Sequence, residues 1–220
     1  GKSLADVYVK EDVELLKKGL ANLTAHLGIV RKFGVPAVVA INAFPTDTEA
    51  EWAAIKEASI KAGAVDAVVT KNWAEGGDGA VELAEAVVRA ADKPSDVKPF
   101  YPLDLSIKEK IERIAREVYG ADHVSYSAEA DKAIGKFGEL GYDRLPICMA
   151  KTQYSLSHDP ALKGAPKGFI FPIADVRLAA GAGFIYPLSG EINTMPGLSS
   201  KPGYMGMDID TDTGRIIGLS

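Results

Sequence analysis

Two aromatic residues sit in polar loops at matching places along the chain. Phe44 lies in Asn42-Ala43-Phe44-Pro45-Thr46-Asp47, and Trp73 in Lys71-Asn72-Trp73-Ala74-Glu75-Gly76-Gly77-Asp78-Gly79. Each loop follows a short apolar run, residues 35–41 and 64–70, of the kind that forms a strand covered on both faces. In open α/β sheets ligands bind beyond the carboxyl ends of the strands. If the two strands are neighbours, the rings face one another across a flat slot, with Asn42 and Pro45 beside the first. Such a slot suits a planar heteroaromatic ligand, stacking contributing about 1–3 kcal/mol per ring face. The same pattern is equally consistent with two rings that cap the core.

Other polar groups invite weaker readings. Lys151-Thr152-Gln153-Tyr154 follows the apolar run 145–150, so Lys151 emerges at a strand end. It belongs either to a solvated loop or to a site for an anionic group of a substrate or neighbouring domain. Ser155, Ser157, His158 and Asp159 are too close in sequence for triad geometry, and no strained nucleophile turn is present. Asp208, Asp210 and Asp212 resemble a calcium loop, but Gly214 comes one place late and Leu219 stands where a glutamate belongs. A hairpin turn explains them better, and no metal is expected. Cys148, inside the apolar run, reads as a buried structural thiol. His26 on a helix and His123 in a loop read as surface residues.

The elements that must position these groups can be read from periodicity. Val13, Leu16, Leu20, Leu23, Leu27 and Val30 recur at helical spacing, and Gly34 and Pro36 end that helix. Thr48 with Glu51, and Ser106 with Glu109, form capping-box patterns that open two more helices. Further helices are expected over 78–91 and 127–140. Strand–helix alternation in the first half implies right-handed crossovers. The fold class is therefore α/β: a mainly parallel sheet with flanking helices over residues 1–100, followed by a smaller α+β unit with a short-stranded sheet over 101–220. Strands of that unit are expected at 145–150, 169–174, 184–187, 207–209 and 215–219.

Composition narrows the function. A net charge of -5 with no basic tract argues against nucleic-acid binding. No apolar run nears the roughly 18 residues that span a bilayer. The single cysteine rules out an intrachain disulfide and fits a reducing compartment, hence a cytoplasmic protein. Gly1-Lys2-Ser3-Leu4-Ala5-Asp6 is neither a signal peptide nor a start with Met, so the chain is expected to begin inside a longer protein.

Several motifs carry a family resemblance. Lys32-Phe33-Gly34-Val35-Pro36-Ala37-Val38-Val39-Ala40-Ile41-Asn42-Ala43-Phe44-Pro45-Thr46-Asp47-Thr48 resembles the formate–tetrahydrofolate ligases (10-formyltetrahydrofolate synthetases). So do Trp73-Ala74-Glu75-Gly76-Gly77, Leu103-Asp104-Leu105-Ser106-Ile107-Lys108, Ala150-Lys151-Thr152-Gln153-Tyr154-Ser155 and Thr194-Met195-Pro196-Gly197-Leu198. The likeness runs in order along essentially the whole chain.

The resemblance implies that ATP and formate give formyl phosphate, whose formyl group passes to tetrahydrofolate. It implies that Phe44 and Trp73 sandwich the pterin, with Asn42 and Pro45 on the folate side. Thr194 and Pro196 would lie toward the nucleotide, although Ser199-Ser200-Lys201-Pro202-Gly203-Tyr204 departs from the family's proline-and-alanine version. No catalytic residue is assigned. Gly1-Lys2-Ser3 matches only the last three residues of the family's phosphate-binding loop. Phosphoryl transfer needs backbone amides, a lysine and magnesium around the phosphates. ATP and Mg are therefore expected to bind a missing amino-terminal domain or subunit, without which this chain is inactive. Family members assemble as homo-oligomers. The competing reading is a non-catalytic folate-binding or assembly module that docks on an ATP-binding partner.

Overall fold

The first helix, α1 (Val13–Lys32), starts where the Asp12 side chain accepts a hydrogen bond from the Leu15 amide. This satisfies one of the amides that an open helix end leaves unpaired. The helix stops at Phe33 and Gly34. Gly34 takes a φ of 71°, and a Cβ there would lie 1.9 Å from the Asp96 carbonyl oxygen. Only glycine fits so close a backbone approach. The structure, a computed structural model, describes residues 5–190, 192 and 200–218.

Strand β1 (Val38–Asn42) leads to α2 (Glu49–Lys61), which opens on the expected reciprocal cap between Thr48 and Glu51. Next come β2 (Asp66–Thr70), a single turn α3 (Asn72–Glu75), and a 3-10 turn (Asp78–Ala80) running into α4 (Val81–Ala91). Strands β1 and β2 are parallel neighbours, paired from Val38 with Asp66 to Asn42 with Thr70. Helix α2 packs on both α1 and β2, and α4 on both strands. β1 is less covered than its sequence suggested. Among the described residues it pairs with β2 alone, and Ala40 and Asn42 are exposed.

The main core lies further along the chain. Ser106 and Glu109 cap α5 (Ile107–Glu117) as expected, and Ile107 and Ile111 become fully buried. Then follow β3 (His123–Tyr126), α6 (Ala128–Glu139), β4 (Ile170–Ile173), β5 (Asp175–Ala179) and β6 (Phe184–Leu188). β4 runs parallel to β3, and β5 and β6 form an antiparallel pair. Phe171, Ile173, Val176 and Ile185 close over Ile107, Ile111 and Ala115. Each such large side chain contributes roughly 1.5–3 kcal/mol by leaving water.

Helices and strands are mixed as expected, but among the described residues the strands form four two-stranded sheets, two parallel and two antiparallel. Three expectations need correction. His123 opens β3 rather than lying in a loop. Residues 145–150 run parallel beside β6 but form only isolated bridges. The amides of Ile185, Cys148, Ala150 and Ser189 all bond across the pair, whereas Pro187 has no amide to continue the ladder. Finally, Cys148 is exposed. Leu145, Ile147 and Met149 face the core, so in an extended segment Cys148 points the other way.

The chain divides into two compact units, Gly1–Gly190 and Glu191–Ser220. In the second, β7 (Asp208–Ile209) and β8 (Ile216–Ile217) form a hairpin. Its turn is held by Asp210, whose carboxylate accepts from the Asp212 and Thr213 amides. Hydrogen bonds from Thr213 and then Asp212 hold the Asp210 carboxyl below its ordinary pKa.

Candidate functional site

The two aromatic loops leave the β1–β2 pair side by side. Asn42 and Thr70 are opposite one another, and the Ala43 amide extends the ladder by donating to the Thr70 carbonyl at 3.0 Å. In the first loop the Phe44 amide donates to the Asp47 carboxylate at 2.9 Å, and the Asp47 amide returns a bond to the Phe44 carbonyl at 3.0 Å. A backbone tied twice in this way fixes where the ring starts, leaving its side-chain torsions to aim it.

The second loop is closed by Thr70. Its buried hydroxyl sits 3.2 Å from both Asn72 Oδ1 and the Gly79 carbonyl. The Lys71 amide donates to the same Gly79 carbonyl at 2.9 Å. A Cβ at Gly79 would come within 2.7 Å of the Lys71 backbone, so the loop needs glycine to close. Trp73 rides on α3, and Gly76 at φ 61° ends that turn.

Exposure bears on the core-cap reading alone. Phe44 is 65% exposed and Trp73 is 89% exposed, so neither caps the core. Among the described residues neither contacts another aromatic ring. Asn42 and Pro45 are exposed beside Phe44. These residues can stack and hydrogen-bond, but none of them is a strong acid, base or nucleophile. Thr194 and Pro196, the residues expected toward the nucleotide, lie outside the described residues.

Lys151 is half-buried. Its Nζ donates to the carbonyls of Thr152 (2.9 Å) and Ser155, and lies 5.1 Å from the centre of the Tyr119 ring. Burial pushes its pKa down from the ordinary lysine value. It borders a cavity of about 590 Å³ whose far wall is Asn22 and His26 of α1. The sequence carried no sign of that pairing, because these lining residues come from segments far apart in the chain. Nearby, the Ser157 hydroxyl donates to the Asp159 carbonyl at 3.0 Å and His158 Nδ1 is buried without a partner. No serine–histidine pair forms there. Among the described residues, no three His, Cys, Asp or Glu are grouped as metal ligands, and no helix is long and apolar enough to cross a membrane.

Comparison with known proteins points one way. A family profile described as "Formate--tetrahydrofolate ligase" matches residues 1–220. The chain is 51% identical over 219 residues to a formate–tetrahydrofolate ligase of Desulforamulus reducens, covering all of this chain and 38% of the relative. It is 51% identical to the cytoplasmic C-1-tetrahydrofolate synthase of Schizosaccharomyces pombe, again over its whole length and 24% of the relative. Against the mitochondrial C-1-tetrahydrofolate synthase of Saccharomyces cerevisiae the identity is 48%, over all of this chain and 22% of the relative. The chain thus spans between about a fifth and two fifths of these relatives.

Proposed function

Since this chain belongs to the formate–tetrahydrofolate ligase family, we propose that its first strand pair forms the tetrahydrofolate side of the enzyme. Phe44 and Trp73 would take the pterin between them, with Asn42 and Pro45 at the edge of the slot. The observation that carries this reading is the exposure of both rings on loops leaving adjacent strand ends. Stacking holds the formyl acceptor flat and excludes water from its faces, so the nitrogen that takes the formyl group is presented in one orientation.

In this reading ATP and magnesium are used elsewhere in the protein to make formyl phosphate. The short span of this chain relative to its relatives supports that assignment. Residues 1–220 alone then bind the acceptor without turning over. The same reading includes a division near residue 100, assembly as a homo-oligomer and a place in the cytoplasm.

A titration tests the slot. In a Trp52→Phe background, tetrahydrofolate should quench Trp73 fluorescence saturably, and Phe44→Ala should weaken that binding. Absence of quenching, or quenching indifferent to Phe44→Ala, would end the assignment. A second reading, a non-catalytic module docking on an ATP-binding partner, draws on the exposed Val81, Val87 and Val88 of α4. Mixing the chain with a separately made ATP-binding domain and assaying formyl transfer separates them. Recovered turnover supports the ligase, and docking without turnover supports the module.

A further inference from the structure

The cavity beside Lys151 has a neighbour. A second cavity of about 460 Å³ shares Tyr119 and Leu156 with it and continues along the same helix, past Ala25 and Ile29 to Lys32. The two form one groove between α1, the end of α5 and residues 149–167. Its first lobe contains Lys151 and no carboxylate. Its second contains Lys32, Arg116 and Lys167 against a single carboxylate, Glu117. That carboxylate is already engaged by Arg113, Nε to Oε1 at 2.9 Å. Four cationic residues therefore line the groove in a chain whose net charge is -5.

The ammonium groups of Lys32 and Lys151 donate to backbone carbonyls, of Glu117 and of Thr152 and Ser155. Carbonyls orient an ammonium without cancelling its charge. The carboxyl end of α5 accounts for Lys32 and Arg116, because cations are favoured beside a helix carboxyl end. It does not account for Lys151 in the other lobe, or for Lys167. Concave walls that exclude part of the water strengthen the field of such charges.

We propose that this groove is a binding site for a small ligand carrying two or more oxyanion groups, phosphate or carboxylate, one near Lys151 and another near Lys167. The site is separate from the aromatic slot and does not depend on it.

The three histidines supply the readout. Inorganic pyrophosphate and citrate are titrated at constant ionic strength into the whole chain while the histidine ring signals are followed by NMR. His26, on the groove wall, should shift saturably, and His123 should not. Response to pyrophosphate alone identifies a phosphoryl ligand, response to citrate alone a carboxylate ligand, and response to both a site that accepts either oxyanion. Lys151→Met should weaken binding about tenfold, the loss of one charge-assisted contact. Because Lys151 also ties its own loop, exposed Lys167→Gln is the second variant, with the same expected loss. No saturable His26 shift with either anion overturns the proposal, as does a shift that Lys167→Gln leaves unchanged. Binding should persist in Trp73→Ala, so failure of the folate slot and failure of this groove are distinguishable.

Discussion

Asn42 and Thr70 are register partners at the ends of two parallel strands, so Phe44 and Trp73 depart from the same level of one sheet. Each ring replaced by alanine should cost about 1–3 kcal/mol of tetrahydrofolate affinity, by analogy with base stacking. Neither replacement should change stability by more than about 0.5 kcal/mol, since both rings are exposed. Urea unfolding alongside the binding titration checks both halves. A large loss of stability in either variant would mean the ring is part of the core after all.

Gly79→Ala and Gly34→Ala make a contrasting pair. At Gly79 the new Cβ meets the Lys71 backbone at 2.7 Å, and at Gly34 it meets the Asp96 carbonyl at 1.9 Å in a left-handed conformation. Each should lose about 1–3 kcal/mol or more of stability. Only Gly79→Ala displaces the Trp73 loop, so it alone should also lower tetrahydrofolate affinity in protein that remains folded. Equal affinity in the two variants would contradict the role given to that loop.

Lys110 is fully buried, and its Nζ donates to the Asp143 carbonyl at 2.5 Å and the Leu145 carbonyl at 3.2 Å. Lys110→Met keeps the apolar stem but leaves those carbonyls without their donor, which costs about 1–3 kcal/mol per buried group. Chemical denaturation should show the variant markedly less stable at neutral pH. A neutral or stabilising result would mean that water or a local shift satisfies the carbonyls.

The same lysine gives a pH dependence. Burial holds its folded pKa below the ordinary 10.5, so between those two values the unfolded chain binds more protons than the folded one. Stability then rises with pH across that window. Below the folded pKa both states are charged and the full desolvation penalty applies. Above 10.5 both are neutral and it is gone. The advantage of wild type over Lys110→Met should therefore widen from neutral pH toward 10.5. A constant or narrowing gap would count against a charged, desolvated Lys110.

Ser106→Ala removes a cap whose oxygen accepts from the Glu109 amide and whose own amide donates to the Glu109 carboxylate at 2.8 Å. The expected loss is about 0.5–2 kcal/mol. Hydrogen exchange should quicken first in the opening turn of α5. Uniform quickening across the chain would instead indicate general loosening.

Features that depend on adjacent residues are legible in the amino-acid sequence itself. The caps at Thr48 and Ser106 and the helical spacing of α1 involve atoms within a few residues of each other. The short strands are harder to read. β3 has only four residues, His123 and Ser125 among them, so its alternation is too brief to stand out from a loop. The interruption beside residues 145–150 arises from Pro187, far off in the chain.

What the sequence determined by itself was the set of local elements, the placement of Phe44 and Trp73 in loops after apolar runs, and a family signature along the whole chain. Tertiary structure decided whether those rings were covered, which side of its segment Cys148 took, and which charges came to share a groove. Local preferences act over one or two turns of chain, through bonds and contacts that adjacent residues can make alone. Burial and the gathering of Lys151, His26 and Lys167 around one groove depend on distant segments closing together, and no short stretch of sequence contains that information.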